Sequence, residues 1–390
     1  MVLLVLVSMI MVGTTRGEGQ QDESANANFD ETDVVPTIFN DITGIPHDKV
    51  VMLAGQSEVS ADFYFYWLSY VCSSLEHNIL SDYNNYGLHS SWIDKTTGLV
   101  DWAADYADIS LMEYARAQAE DTIKYYISIE ELAEEMNAGL TSDNLADMEN
   151  NFQNALEEIG GREEFFEYLK MLGINKSGFD RISAASYLYK NLLDLVFVKD
   201  SDIYLSDEEY DQVAVYADHI LISSQDMQTG ENLPPDEVME KYKLVENLLE
   251  QLNESDDLVS LFGELADEYS EDPVSKENPS GYIFTSGTMV PEFESAARLL
   301  EPGEISEIVQ SDYGFHIILR RDLLTALKED ESKKYDIARE YLDELLVEKS
   351  GDSPVSYDEC MESVDWLSFY LAYVEQVDEI VAAHAKNAVQ

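Results

Sequence analysis

Basic residues are scarce in this chain. Lysine and arginine number 23 against 79 aspartates and glutamates, a formal net charge of −56 over 390 residues. A surface that negative repels phosphate backbones and anionic headgroups, so nucleic-acid binding has no support. It suits solubility, cationic or unfolded polypeptide partners and loosely held divalent cations. Cysteine is almost missing, with Cys72 and Cys360 alone. One bridge is the most they could form, and two free thiols are the expectation. None of the six histidines has a zinc-type spacing with either cysteine. An EF-hand loop started at Asp200 puts Leu205 where the motif needs glycine, and no Walker loop, GxGxxG fingerprint or Ser/His/Asp motif is present. The expectation is a chain with no metal or cofactor, whose acidic clusters (Glu130–Glu135, Asp207–Asp211, Asp267–Asp272) are solvated faces.

Long apolar runs are also lacking, except Met1–Val12 (MVLLVLVSMIMV). That length matches a signal-peptide core and falls short of a membrane span. The first basic residue is Arg16 and no clear cleavage site follows, so residues 1–16 read as a signal segment whose start lies upstream of Met1. No cysteine follows the run, which gives a lipid anchor no support. Residues 17–50 read as an acidic linker.

From Glu58 the pattern is helical. Val59, Phe63, Trp67, Tyr70, Val71 and Leu75 recur at three- and four-residue steps, with Ser60 placed to cap. Helical periodicity continues over Tyr106–Asn137, Ser142–Leu156, Glu163–Leu172 and Ser183–Phe197. Little in residues 51–210 reads as strand, and the expectation there is an all-helical body. The pattern then changes. Val213–Ile222 (VAVYADHILI) is strand-like, and Pro234–Pro235 opens a helix through Leu252. Leu258–Tyr269 is a second helix, Tyr282–Thr285 a strand and Pro291–Leu300 a short helix. Glu307–Gln310 and Phe315–Arg320 are closing strands. The order β-α-α-β-α-β-β makes residues 211–322 a compact α+β domain. Residues 323–390 return to helix over Ser332–Val347 and Tyr357–Lys386, expected to pack on the N-terminal helices.

The α+β stretch resembles the parvulin, or PpiC-type rotamase, family. The residues that carry this are ADHILI (Ala217–Ile222), EYSEDP (Glu268–Pro273), GYIFTSGTMVPEFESAA (Gly281–Ala297), LEPGEIS (Leu300–Ser306) and SDYGFHIILRR (Ser311–Arg321). The flanking layout is similar to extracytoplasmic foldases of the PrsA and SurA kind. The resemblance implies an α+β fold: a four-stranded antiparallel sheet with surrounding helices, inserted in a mainly α-helical, chaperone-like body. It implies peptidyl-prolyl isomerase activity on unfolded or partly folded exported polypeptides with X–Pro bonds. The setting would be extracytoplasmic in a bacterium, secreted or envelope-associated. His219 and His316 carry over as a pair linked through neighbouring hydroxyls, and Asp272 as the acidic position beside them. Met289 and Phe293, with Phe284 alongside, carry over as the prolyl pocket, and Ser311 as the small hydroxyl near the second histidine.

Three stretches depart from the pattern. NPSGY (Asn278–Tyr282) stands where many members have GGDLG, Val290 replaces a polar residue, and Tyr313, counted among the substrate-binding positions, replaces a frequent serine. They leave a second reading, a catalytically inactive peptide-binding module. The aromatic run Phe63–Tyr70 (FYFYWLSY) is the candidate for gripping unfolded chain, or else core.

The residue types suit that chemistry. An X–Pro amide rotates over a barrier of about 18–20 kcal/mol because its C–N bond is partly double. Its twisted transition state has less resonance and a smaller dipole than the planar amide. An apolar pocket therefore favours it without nucleophile or cofactor.

Overall fold

The structure, a computed structural model, describes residues 37–226, 229–273 and 281–387. The expected signal segment and most of the acidic linker lie outside the described residues, as do Asn278–Ser280 of the NPSGY stretch. The chain divides into two compact units. Residues up to Asp194 and from Leu345 onward form one, and Leu195–Glu344 the other.

The first unit opens with α1 (Ile38–Thr43) and an antiparallel pair, β1 (Val50–Ala54) and β2 (Ser57–Ser60). Helix α2 (Ala61–Tyr86) follows, buried on every side from Ala61 to Ser69 because its sequence there, Asp62 and Ser69 apart, is apolar all round. A short hairpin, β3 (Asp105–Tyr106) and β4 (Ile109–Ser110), leads into α3 (Leu111–Glu135), which a Ser110–Glu113 capping box starts. Then come α4 (Ser142–Ile159), α5 (Arg162–Leu172) and α6 (Lys176–Leu195).

The second unit runs α7 (Asp207–Val213), β5 (Val215–Ser223), α8 (Pro235–Asn253), α9 (Leu258–Tyr269), β6 (Tyr282–Phe284) and α10 (Pro291–Leu299). It closes with β7 (Val309–Ser311), β8 (Gly314–Arg320), α11 (Leu323–Glu329) and the first part of α12 (Ser332–Asp352). The expected four-stranded antiparallel sheet is present, in the order β6-β5-β8-β7. Its central strands are covered on both faces, which is why β5 and β8 read as nearly continuous apolar runs. Ile220, Ile222, Phe315, Ile317 and Leu319 pack on α8 and α9 through Val245, Leu248, Leu252, Phe262 and Leu265. Val215, Ala217 and Ile318 pack on the other face with Phe284 and with Phe293 and Ala297 of α10.

The chain then returns to the first unit through β9 (Val355–Tyr357) and α13 (Trp366–Asn387). Strand β9 pairs antiparallel with β1, and the ring of Phe369 of α13 packs, tilted, 4.7 Å from that of Phe65 of α2. Lys49 binds Asp358 at 2.6 Å and holds its carboxyl down at about 2.

Several expectations need correction. The N-terminal body is not all helical, because β2, β1 and β9 form a three-stranded sheet. Its strands are too short to show a period of two, and the partner of β1 comes from the other end of the chain. Residues 105–110 form a hairpin, so α3 starts later than Tyr106. Helix α6 starts at Lys176, ahead of the expected Ser183. The last helix starts at Trp366 because β9 and a 3-10 turn (Glu359–Ser363) use the preceding residues. Ser60 sits at an N-cap but makes no capping bond; its hydroxyl binds Asp62, whose carboxylate takes the Phe63 amide at 2.8 Å. Phe63 to Trp67 are all within 4% exposure, so this stretch is core and offers no grip on unfolded chain. Cys72 and Cys360 are free thiols. No helix among the described residues is long and apolar enough to cross a membrane.

Candidate active site

Strand pairing sets the site. On β5 and β8, His219 lies opposite Ile318, and His316 lies opposite Leu221. The two histidines are therefore diagonal neighbours on one face, two residues out of step, the face α10 covers. Their ring centroids are 5.5 Å apart. Phe293, on the first turn of α10, sets its ring edge-on to both, at 5.2 Å from His219 and 5.6 Å from His316. Phe284 of β6 packs, tilted, behind Phe293 at 5.8 Å. Both phenylalanines are 2% exposed, so Phe293 roofs the histidines and Phe284 backs it, away from open pocket.

Asp272 reaches the pair because the segment after α9 runs along the edge of β5, where β6 stops. Glu271 N–H donates to Leu221 O at 2.8 Å, the Ser270 hydroxyl accepts from Leu221 N–H, and Glu271 Oε2 accepts from Ser223 N–H at 2.7 Å. The next residue then places its carboxylate 3.0 Å from His219 Nε2. A carboxylate only accepts, so that bond assigns the proton to Nε2. Tyr282 donates its hydroxyl to the same carboxylate oxygen.

His316 is served separately. Ser311 Oγ lies 2.8 Å from its Nε2 and also accepts the Tyr313 amide at 3.2 Å. Burial, reinforced by the neighbouring His219 and opposed by Asp272, lowers the His316 pKa to about 4, so the ring is neutral at neutral pH. The Nδ1 atoms of both histidines are buried and have no hydrogen-bond partner among the described residues. The expected chain of hydroxyls joining the two histidines is thus not what is found: each hydroxyl binds an Nε2, one through Asp272 and one directly.

Met289 is half-buried in the turn before α10, not on the helix as its spacing from Phe293 suggests. The turn is pinned from α10: Glu294 accepts the Gly287 amide at 2.9 Å, and Arg298 binds both Glu294 and the Ser286 hydroxyl. Tyr313 is 55% exposed on the β7–β8 turn, and its backbone is what serves the site. Tyr282, Glu294 and Arg298 were not singled out from the sequence. For Tyr282 the available signals were its aromatic ring in the departing NPSGY stretch and its place in the GYIF motif.

An antiparallel sheet carrying two imidazoles, an aspartate and an aromatic roof, in this chain order, is a PpiC-type rotamase domain of the parvulin class. Residues 219–322 match that family, described as "Rotamase: PPIC-type PPIASE domain". Part of the chain is similar to PrsA foldases. It is 39% identical over 137 residues to "Foldase protein PrsA" of Oceanobacillus iheyensis, covering 32% of this chain and 44% of that protein. It is 28% identical over 220 residues to "Foldase protein PrsA" of Staphylococcus epidermidis, covering 55% and 62%. The chain thus spans roughly half the length of these curated relatives. A crystal structure titled as peptidylprolyl isomerase (PrsA) from Bacillus anthracis aligns at a TM-score of 0.31 and 23% identity, covering 59% of this chain and 95% of that one.

Proposed function

We propose that the protein is a peptidyl-prolyl cis–trans isomerase that assists the folding of exported polypeptides. The observation that carries this reading is the placement of Phe293 edge-on to both His219 and His316 beside Met289. It makes an apolar, aromatic seat for a pyrrolidine ring over a buried polar floor. A proline held there has its preceding amide next to neutral imidazole and away from bulk water. The planar amide loses more solvation than the twisted one, so rotation becomes easier. His219, His316 and Ser311 orient the substrate and set the local field. No proton transfer or covalent step is needed.

The net charge of −56 suits cationic, unfolded clients. The signal-like residues 1–16 and the similarity to PrsA foldases support a place outside the cytoplasm, with the first unit holding the client. A protease-coupled assay of the full chain, with the residue before proline varied, tests the reading. Met289→Ala should lower kcat/KM about tenfold or more, by removing one wall of the seat. A folded chain that accelerates none of the peptides makes the domain a binding module instead.

A further inference from the structure

One side chain that the resemblance assigned no role reaches the centre of the site. Tyr282 opens β6 opposite Ala217, so it stands on the same face of the sheet as Ala217 and His219. Its ring lies 5.5 Å from that of His219 at 61°. Its Oη donates to Asp272 Oδ2, the same atom that His219 Nε2 binds at 3.0 Å. The backbone before it is forced into place. Gly281 has φ +84°, and a Cβ there would stand 2.6 Å from Ala217 O. Only glycine lets the chain enter β6 this close to β5, which delivers Tyr282 onto the carboxylate.

Two donors on one carboxylate oxygen do what one cannot. One hydrogen bond does not by itself fix a carboxylate's rotation about its side-chain bonds. The phenol, anchored through a strand, gives the carboxylate a fixed second bond. We propose that Tyr282 is a positioning residue: its hydroxyl clamps Asp272 so that His219 stays in the Nε2–H tautomer, edge-on to Phe293. This rests on the isomerase reading of the site, and it names the group that keeps the site in order.

The test uses the full chain labelled with 15N-histidine, whose six histidines give a countable set of ring signals. Tautomers are read from long-range proton–nitrogen correlations, and kcat and KM from an X–Pro peptide. In the wild type, His219 should show a protonated Nε2 and an unprotonated Nδ1. Tyr282→Phe keeps the ring and removes the hydroxyl. It should draw the two His219 nitrogen signals together and lower kcat about fivefold to tenfold with KM little changed. Unchanged His219 signals and unchanged kcat overturn the proposal while leaving the isomerase reading standing. A wild type with no activity removes that reading, and the nitrogen signals still decide whether the clamp exists. If Tyr282→Phe does not fold, Asp272→Asn reports on the same clamp: it should move the His219 signals in the same direction, and unmoved signals refute it.

Discussion

His219 and His316 face one side of the sheet with ring centroids 5.5 Å apart, yet each is held by its own partner. Asp272 fixes the first and Ser311 the second, both through Nε2. The pair is therefore locked from its outer ends, with both Nδ1 atoms buried and unbonded among the described residues. That leaves two oriented rings under Phe293, of which His316 is neutral at neutral pH.

Neutrality of His316 has a thermodynamic consequence. Its folded pKa of about 4 lies below the value of about 6.5 expected when unfolded. The unfolded chain takes up a proton that the folded chain refuses. This stabilisation is present above pH 6.5 or so and is lost as the pH falls towards 4. It amounts to roughly 3 kcal/mol. Urea midpoints should fall over that window, and the fall should be shallower in His316→Gln by a similar amount.

Phe293 and Met289 should separate stability from activity. Phe293 is 2% exposed and roofs the site, so Phe293→Ala should destabilise the second unit by about 3–5 kcal/mol. Met289 is half-buried, and Met289→Ala should cost less than about 2 kcal/mol while still removing most activity. Thermal melts beside isomerisation rates check both. Equal loss of stability in the two variants would contradict the assignment.

Two glycines are set by close backbone approach. Gly314 has φ +146°, and a Cβ there would stand 2.3 Å from Ile222 O; Gly281 is similar against Ala217 O. Gly314→Ala must spread β5 from β8 at the end nearest His316. We expect a loss of about 2 kcal/mol or more by urea denaturation, larger than for an alanine placed at the unobstructed Gly303.

Arg320 is 4% exposed at the end of β8, and Asp211 of α7 binds it at 2.9 Å. Its Nε and Nη1 are buried without partners among the described residues. Removing this ion-pair partner strands a buried cation, so Asp211→Ala should destabilise by about 3 kcal/mol, the low end for such pairs because Asp211 is partly open to water. Arg320→Met in the Asp211→Ala background should recover much of the loss, as differential denaturation would register.

The second unit was legible in the sequence because its signals are local. HILI and GFHII are contiguous buried strands, and Pro235 and Pro291 mark helix starts by their missing amide. The histidines, Asp272, Phe293 and Ser311 sit within those motifs. What stayed hidden depends on pairing between distant segments. Strand β1 (VVMLA) has no alternation to betray it, and its partner β9 lies beyond the whole inserted unit. Tyr282 stands both in the GYIF motif and in the departing NPSGY stretch, and nothing in its neighbours tells that Gly281 turns it onto Asp272. The sequence left Phe63–Trp67 open as a grip on unfolded chain or core, and packing against distant segments, Phe369 of α13 on Phe65 and Tyr126 of α3 on Trp67, makes it core.

The central claim is that the Phe293-roofed histidine pair lowers the barrier to X–Pro rotation. Exchange NMR of an X–Pro peptide at equilibrium, with catalytic amounts of the full chain, measures that rotation with no coupling enzyme. Uncatalysed exchange takes tens to hundreds of seconds. We predict exchange cross-peaks on the sub-second scale with the wild type, greatly weakened with Met289→Ala. Exchange that stays at the uncatalysed rate while the peptide signals shift on binding would contradict it.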